Sequence, residues 1–383
     1  MMPERTIYLD HAATTALDAR VLDAMIPYLT TEYGNASSIY TLGRHAMQAI
    51  DGAREQVAEI LNCRPTEITF TGCGSESDNL AIKGMAFASQ KKGNHIITSS
   101  IEHHAVLHTC QYLERFGFKT TYLPVDGYGR VNPDDVERAI TDQTILVSIM
   151  YANNEVGTIE PIAEIGRICR ARKLAFHVDA VQAGGSLPID VAALNVDLLS
   201  LSAHKFYGPK GIGILYARQG MRILPQMQGG SQERGKRAGT ENVAGIVGAA
   251  TALRLAYEDL PQVQPRIQAL RDRLIAGVLT IPRSQLTGHP IERLPNNASF
   301  VFEGVEGESI LLSLDLLGIA ASTGSACTSG SVDPSHVLLA MGLPVELAHG
   351  SLRLTVGKGN TEEDVETILS ALPGIIEKLR ELR

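Results

Sequence analysis

The hydrophobic positions in the first half of the chain fall into short, β-branched runs separated by stretches of helical periodicity. Runs of strand length lie at residues 67–71, 95–99, 144–150, 175–178 and 198–200. This alternation is typical of a parallel sheet with crossover helices, and it predicts an α/β fold. Residues 211–217 predict a strand that returns antiparallel, and residues 51–61 carry the apolar stripe of an amphipathic helix.

The pattern changes in the second half of the chain. A long helical stretch runs from residue 242 to about 279, and we place a domain junction within it. Beyond it, residues 297–302 alternate like a half-exposed strand and residues 351–356 predict another. Thr361 is a candidate N-cap for a further helix. The second domain is therefore expected to mix helices and strands.

Composition narrows the class of protein. The 383 residues are 44% hydrophobic and 20% charged, and no apolar run approaches the roughly 18 residues of a membrane span. The net charge of −8 disfavours nucleic acid as a partner. Five cysteines without a C-x-x-C pair disfavour a disulfide framework or a structural zinc site. The N-terminus lacks an export signal, so we expect a cytoplasmic protein.

Polar residues of functional type follow several predicted strands. They are Gly72 to Ser77 after the first, Glu102-His103-His104 after the second, Asn153-Asn154-Glu155 after the third, and Asp179 with Gln182 after the fourth. Each group alone is more often a turn or a helix cap. Because ligands gather at the carboxyl ends of parallel strands, their joint presence predicts a ligand site there.

Lys205 directly follows a predicted buried strand, within Ser202 to Gly211. A lysine desolvated in that setting has a lowered pKa and can form a Schiff base with an aldehyde cofactor. Pyridoxal 5′-phosphate (PLP) also needs a carboxylate for its ring nitrogen, hydrogen bonds for its phenolic oxygen, a flat group over its ring and a cradle for its phosphate. These groups are available in Asp179, Gln182, His103 and the turn of Gly74 and Ser75.

Eight motifs, in order along nearly the whole chain, resemble those of the cysteine desulfurases. They are Tyr8-Leu9-Asp10-His11-Ala12-Ala13-Thr14-Thr15, Glu76-Ser77-Asp78-Asn79, Glu102-His103, Asn153-Asn154-Glu155, His177-Val178-Asp179-Ala180-Val181-Gln182, Ser202-Ala203-His204-Lys205, Arg234-Gly235-Lys236-Arg237-Ala238-Gly239-Thr240 and Ser322-Thr323-Gly324-Ser325-Ala326-Cys327-Thr328-Ser329. This family belongs to the class V aminotransferase group of fold-type-I PLP enzymes. The resemblance implies a large domain (15–259) with a mainly parallel seven-stranded sheet, and a smaller α+β domain (1–14 and 260–383).

The resemblance also implies roles for individual residues. It makes Lys205 the Schiff-base lysine, Asp179 the partner of the pyridine nitrogen and His103 the ring-stacking histidine and proton shuttle. The phenolic oxygen and the substrate would contact Asn154 and Gln182, and the phosphate would be held by Gly74, Ser75, Ser202 and His204. Thr240 matches a threonine that reaches the phosphate of the neighbouring subunit, which implies a homodimer.

The implied reaction converts L-cysteine to L-alanine and leaves a persulfide on Cys327. Arg353 matches the arginine that grips the substrate carboxylate, as a planar bidentate donor can. We expect the sulfur to pass to an acceptor protein such as an iron-sulfur cluster scaffold. The chain ends without the C-terminal tail that housekeeping members use to engage that scaffold, so the acceptor stays open.

Two alternative classes of function are retained at this point. A selenocysteine lyase or an aminotransferase would use the same fold, but the Gly-Ser-Ala-Cys-Thr-Ser context of Cys327 resembles the cluster-assembly branch instead. A catalytically silent sulfur-relay subunit would be expected to have lost the lysine, whereas Lys205 and Asp179 are both present.

Overall fold

The computed structural model of the chain describes residues 6–324 and 333–382. Most of the strands lie in the first two thirds of the chain, where they alternate with helices. The strands are β1 Ile7–Tyr8, β2 Ile68–Thr71, β3 His95–Ser99, β4 Lys119–Leu123, β5 Thr144–Ser148, β6 Ala175–Asp179, β7 Leu198–Ser202, β8 Gly213–Ala217, β9 Ser284–Leu286, β10 Asn297–Phe302, β11 Ile319–Ala320 and β12 Ser351–Thr355.

The helices connect these strands and cover the sheets. They are α1 Ala19–Thr30, α2 Thr41–Leu61, α3 Gly74–Ser89, α4 His104–Glu114, α5 Pro133–Ala139, α6 Ile162–Arg172, α7 Val243–Val278, α8 Gly307–Asp315, α9 His336–Ala340, α10 Val345–Ala348 and α11 Glu362–Glu381. Within the described ranges, each helix is too short or too polar to cross a membrane.

A seven-stranded sheet forms the centre of the molecule, in the order β2-β8-β7-β6-β5-β3-β4. The pairs among β4, β3, β5, β6 and β7 are parallel, while β8 runs antiparallel to both β7 and β2. The α/β fold class and the antiparallel return are thus confirmed. The sequence pattern missed β4, because this edge strand is largely exposed or half-buried and carries no apolar run.

A second, three-stranded sheet (β12-β10-β9) lies in the C-terminal part, and the short β1 pairs with β11 beside it. Helix α7 passes from one hydrophobic core to the other: Ala256 packs in the core of the large sheet and Ile267 in that of the small one. The junction therefore lies inside a continuous helix. The exact domain boundaries, 15–259 against 1–14 and 260–383, stay a prediction.

One sequence expectation about β10 is wrong. The alternation at 297–302 predicted a half-exposed strand, but all six residues of β10 are buried. The strand is central in its sheet, and its two faces pack into different cores, with Phe300 in one and Val301 in another. Polar residues such as Asn297 and Ser299 are buried there because they are hydrogen-bonded: Asn297 donates to the Glu155 carbonyl oxygen, and Ser299 accepts from Thr287.

Candidate active site

A cavity of about 280 Å³ lies at the carboxyl ends of the parallel strands. Its walls come from the loops after β2, β3, β5, β6 and β7, from the N-terminal segment and from β12. The structure brings ten of the predicted site residues together around it: Gly74, Ser75, His103, Asn154, Asp179, Gln182, Ser202, His204, Lys205 and Arg353. The expected convergence at the sheet edge is therefore observed.

Lys205 enters the cavity on a short 3-10 turn that directly follows β7. Its Nζ donates hydrogen bonds to the carbonyl oxygens of Ala12, at 2.6 Å, and Ala13, at 2.7 Å. The N-terminal segment is held in place by Thr15, whose backbone N–H donates to the His204 carbonyl oxygen. Distant parts of the chain thus orient the amine.

Asp179 is the last residue of β6 and is almost fully buried. Burial raises the pKa of its carboxyl, while the backbone N–H of Val181, at 3.0 Å, and the positive charge of Lys205 hold that pKa down. The carboxyl of Asp78 lines the same cavity, and burial together with the charge of Asp179 raises its pKa well above the ordinary value. A single negative charge on this pair is therefore favoured on Asp179.

His177 lies two residues before Asp179, on the same face of β6. Its Nδ1 lies 2.8 Å from the Ser148 hydroxyl and its Nε2 3.0 Å from the Ser200 hydroxyl. Burial lowers the pKa of the imidazole to about 3, so the ring is neutral at physiological pH. The motifs contained both His177 and Asp78, but sequence reasoning gave neither a role. Sequence reasoning could not assign them a role because it did not show that both side chains are buried beside Asp179.

His103 caps α4, with Nδ1 accepting a hydrogen bond from the Ala105 N–H at 3.1 Å. The neutral ring therefore carries its proton on Nε2. Burial and the nearby charge of Lys205 lower the pKa of the imidazole to about 4. His103 is consequently neutral in the ligand-free protein.

The loop after β2 forms the start of α3. Gly74 is the first residue of that helix, and a Cβ there would lie 2.9 Å from Val181 and 3.1 Å from Ser202, so a larger residue would require these neighbours to shift. Backbone N–H groups at a helix N-terminus attract anions, and the hydroxyls of Ser75 and Ser202 line the same cavity. The Glu76 carboxylate braces the turn by accepting from the Gly72 N–H.

Arg353 projects from β12 and is buried. Its Nη2 donates to Asp10 Oδ1 at 2.8 Å, and its Nη1 donates to the Asn154 carbonyl oxygen at 2.9 Å. Its Nε lacks a hydrogen-bond partner among the described residues. These two hydrogen bonds hold the guanidinium in place and use two of its five N–H donors, so that donors on Nη1 and Nη2 remain for a ligand. Gln182, in contrast, already donates to the Ala12 carbonyl oxygen.

Two predicted residues are not part of this cavity as described. Thr240 is exposed and does not line it. Cys327 lies outside the described residues. The remaining set fits PLP: a lysine for its aldehyde, a buried carboxylate for its ring nitrogen, and a helix N-terminus at the start of α3 where a side chain at Gly74 would crowd Val181 and Ser202.

Comparison with known proteins agrees with the PLP site that the cavity residues indicate. Residues 7–368 match the model of the family described as aminotransferase class-V. The chain therefore belongs to this family, whose fold and PLP dependence agree with the sheet and the lysine described above.

Full-length relatives narrow the assignment. Cysteine desulfurase IscS of Methanosarcina thermophila is 56% identical over 378 residues, covering 99% of this chain and 94% of the relative. Cysteine desulfurase IscS of Clostridium botulinum strain Hall is 55% identical over 381 residues, covering 99% and 96%. The chain is a PLP-dependent cysteine desulfurase, and the sequence prediction is confirmed.

Solved structures support the fold over the whole chain. A NifS-like protein superimposes with a TM-score of 0.92 at 41% identity, covering 98% of this chain and 100% of its own. SspA in complex with cysteine has a TM-score of 0.82 at 37% identity, covering 92% and 99%. The predicted fold-type-I architecture is thereby confirmed.

Proposed function

We propose that the cavity around Lys205 converts L-cysteine to L-alanine and transfers the sulfur atom to Cys327. The observation that carries the proposal is the convergence of a lysine, a buried carboxylate, a helix N-terminus and a buried arginine on one cavity. SspA, whose fold this chain shares, has been solved in complex with cysteine, which supports the same substrate here.

The cofactor would be held by the groups that line the cavity. Lys205 would bind its aldehyde, Asp179 its ring nitrogen and His103 its ring face; the phosphate would be held by Gly74, Ser75, Ser202 and His204. Asn154 and Gln182 would address its phenolic oxygen and the substrate. When bound, PLP supplies an electron sink for the substrate carbon that loses a proton.

Three side chains would then act on the substrate. Arg353 would bind its carboxylate through the guanidinium edge that Asp10 and Asn154 leave available. Lys205 Nζ, once released from the cofactor, would remove the α-proton. His103 would exchange protons with the substrate thiol as the imidazolium–imidazole pair, because the neutral ring does not give up its Nε2 proton. The charge of Lys205, which helps to lower the pKa of the imidazole, is absent whenever Lys205 is uncharged.

Sulfur transfer would be carried out by the Cys327 thiolate. It attacks the substrate sulfur, so that a sulfur-sulfur bond forms while the carbon-sulfur bond breaks and its electron pair stays with the carbon. Protonation of that carbon completes alanine, and Cys327 keeps the extra sulfur as a persulfide. L-Cysteine and one thiol thus become L-alanine and one persulfide, with no external oxidant.

Assembly and delivery complete the proposal. Thr240 is exposed and would reach the phosphate site of a second copy, giving a homodimer. Exposed apolar residues at Leu29, Tyr33 and Ile39 are compatible with such an interface. The persulfide would pass to an acceptor protein such as an iron-sulfur scaffold, with cytoplasmic localisation as the expected setting.

The decisive experiment is Cys327→Ser. Serine cannot replace a thiolate nucleophile, so the variant should bind PLP and respond to L-cysteine with an absorbance change, but release little alanine and carry no persulfide. Alanine per subunit and intact mass are measured, with the native chain expected to gain one reducible sulfur atom. Native alanine formation by the serine variant would exclude Cys327 and favour a lyase acting on selenocysteine.

A further inference from the structure

The buried guanidinium of Arg353 is already paired with a carboxylate in the ligand-free protein. Its Nη2 donates to Asp10 Oδ1 at 2.8 Å, and the two side chains are 3% and 19% exposed. Arg353 lines the cavity around Lys205, whereas Asp10 does not line the cavity as described. Asp10 therefore contacts the guanidinium from outside the cavity, and its negative charge acts on any anion that binds Arg353 from inside.

Hydrogen bonds on the neighbouring backbone fix Asp10 next to Arg353. The Tyr8 hydroxyl donates to the Asp10 carbonyl oxygen at 3.0 Å, and the Ala12 N–H donates to the Thr355 hydroxyl at 2.9 Å. Thr355 lies two residues after Arg353 on β12, so both side chains project from the same face of that strand. The strand that carries the arginine thus also holds the turn that carries the aspartate.

A second carboxyl group near Arg353 carries less charge. Glu155 is buried, and burial raises the pKa of its carboxyl to about 7, although the hydrogen bond from Ser335 and the charge of Arg353 both lower it. Glu155 is therefore only partly ionised at neutral pH. In the described part of the chain, Asp10 is the carboxylate that forms an ion pair with Arg353.

This ion pair affects how strongly Arg353 binds a ligand carboxylate. A bound amino acid would place a second carboxylate beside one guanidinium, and the two carboxylates repel each other with little screening because the arginine is buried. Substrate and product carry the same carboxylate, so a contact that bound it too tightly would retain L-alanine after the reaction. We propose that Asp10 lowers the affinity of Arg353 for the carboxylate of a bound amino acid, so that L-alanine is released. The inference rests on the proposed role of Arg353.

Removal of the charge can be separated from removal of the contact. Asp10→Asn keeps the length of the side chain and an acceptor oxygen for Arg353 Nη2, but it removes the negative charge. Asp10→Ala removes both. Asp259→Asn is the matched control, because Asp259 pairs with Arg20 at 2.8 Å and with Lys358 at 3.0 Å but does not line the cavity as described. Arg353→Met reports what the guanidinium itself contributes to binding.

The test measures equilibrium binding to the PLP-loaded proteins through the absorbance change of the cofactor. L-Alanine is compared with ethylamine, which has the same amine and methyl groups but lacks the carboxylate. Asp10→Asn should bind L-alanine about ten-fold more tightly than native, while its affinity for ethylamine should stay within about two-fold of native. Inhibition of L-cysteine turnover by L-alanine should strengthen by the same factor. Asp10→Ala should also bind L-alanine more tightly, and it carries the test if Asp10→Asn does not fold. Asp259→Asn should bind both amines as the native chain does.

Tighter binding distinguishes this effect of charge from a structural role, because misplacing Arg353 would weaken the binding of L-alanine. Three results would overturn the inference: native or weaker binding of L-alanine by the Asp10 variants, an equal gain in affinity for ethylamine, or the same gain in Asp259→Asn. Failure of the proposed function has a different signature. In that case Arg353→Met leaves the affinity for L-alanine relative to ethylamine unchanged, whatever the Asp10 variants show.

Discussion

A buried ion pair anchors the segment that leads to Thr240, and breaking it should destabilise the protein. Arg54 of α2 makes two hydrogen bonds of 2.8 Å with the carboxylate of Glu233, and the side chains are 5% and 3% exposed. The carboxylate also accepts from the Phe70 N–H at 3.0 Å, and Arg54 donates to the Ile68 carbonyl oxygen at 2.7 Å. The pair thus joins α2 and β2 to the turn at 233.

Arg54→Met would leave the Glu233 carboxylate buried with the Phe70 N–H as its remaining described donor. Removing one partner of a buried pair costs about 3–5 kcal/mol, because the other charge stays desolvated. Glu233 also has a φ of 47°, a left-handed conformation that a non-glycine residue keeps only when contacts fix it. In the double variant Arg54→Met/Glu233→Gln no charge is left, and glutamine can still accept from Phe70, so the loss should shrink to about 1–2 kcal/mol.

The assay is guanidinium chloride unfolding of the native chain, both single variants and the double variant, at one protein and one PLP concentration. Arg254→Met is the matched control: Arg254 pairs with Glu258 one turn away at 2.7 Å, but the two side chains are 42% and 54% exposed. That change should cost under about 0.5 kcal/mol. If Arg54→Met also cost less than about 1 kcal/mol, the Arg54–Glu233 pair would not be desolvated and the reasoning would be wrong.

Three further predictions concern the cavity and its surroundings. Asp179→Asn should retain PLP but lose most alanine formation, because a neutral amide cannot hold a proton on the ring nitrogen; undiminished turnover with bound PLP would refute this role. Inactive Lys205→Ala and Thr240→Ala chains, mixed into verified heterodimers, should regain some activity if sites are shared, and none if they are not. Burial raises the pKa of the Glu160 carboxyl to about 8, whereas the unfolded chain releases this proton near pH 4.5. Because the folded protein keeps the proton between pH 4.5 and 8, the free energy of unfolding of the native chain falls as pH rises over this range. The stability of Glu160→Gln relative to the native chain should therefore increase as pH rises from 5 to 8, by up to about 5 kcal/mol. A difference in the free energy of unfolding that stays constant across that range would contradict this prediction.

The site could be predicted from sequence where topology alone decides proximity. In a parallel sheet all carboxyl ends meet at one edge, so His103, Asn154, Asp179 and Lys205, each at or after the end of a strand, had to converge. The same reasoning works poorly for an edge strand such as β4, because exposed strands need no apolar run. The hydrophobic pattern also gave the wrong exposure for β10, because its buried polar side chains are hydrogen-bonded and have the sequence spacing of a solvent-exposed face.

Contacts between distant segments could not be predicted in this way. Glu155 and Ser335 are 180 positions apart in the sequence, and the type of either residue does not indicate that the two are in contact. The pairing of Asp10 with Arg353 spans 343 positions and was likewise missed, although Asp10 lay in one of the motifs and Arg353 had been given a role in substrate binding. Hydrophobic periodicity reports which face of an element is buried, but not which polar group from another element meets it.

The two buried aspartates show why residue type alone does not assign chemistry. Asp78 and Asp179 line one cavity, and His177 beside them is neutral and contributes no positive charge. The Val181 N–H and the charge of Lys205 favour ionisation of Asp179. Asp78 Oδ1 has no hydrogen-bond partner in the described part of the chain, and the hydrogen bond of the Asp78 carboxyl with Ser200 offsets only part of the rise in its pKa. Ionisation is therefore favoured at Asp179, the carboxylate proposed to face the cofactor nitrogen, and the neutral form at Asp78. That division of charge depends on where one backbone N–H, the Lys205 amine and the Ser200 hydroxyl lie relative to the two carboxyls, and the sequence pattern does not give those positions.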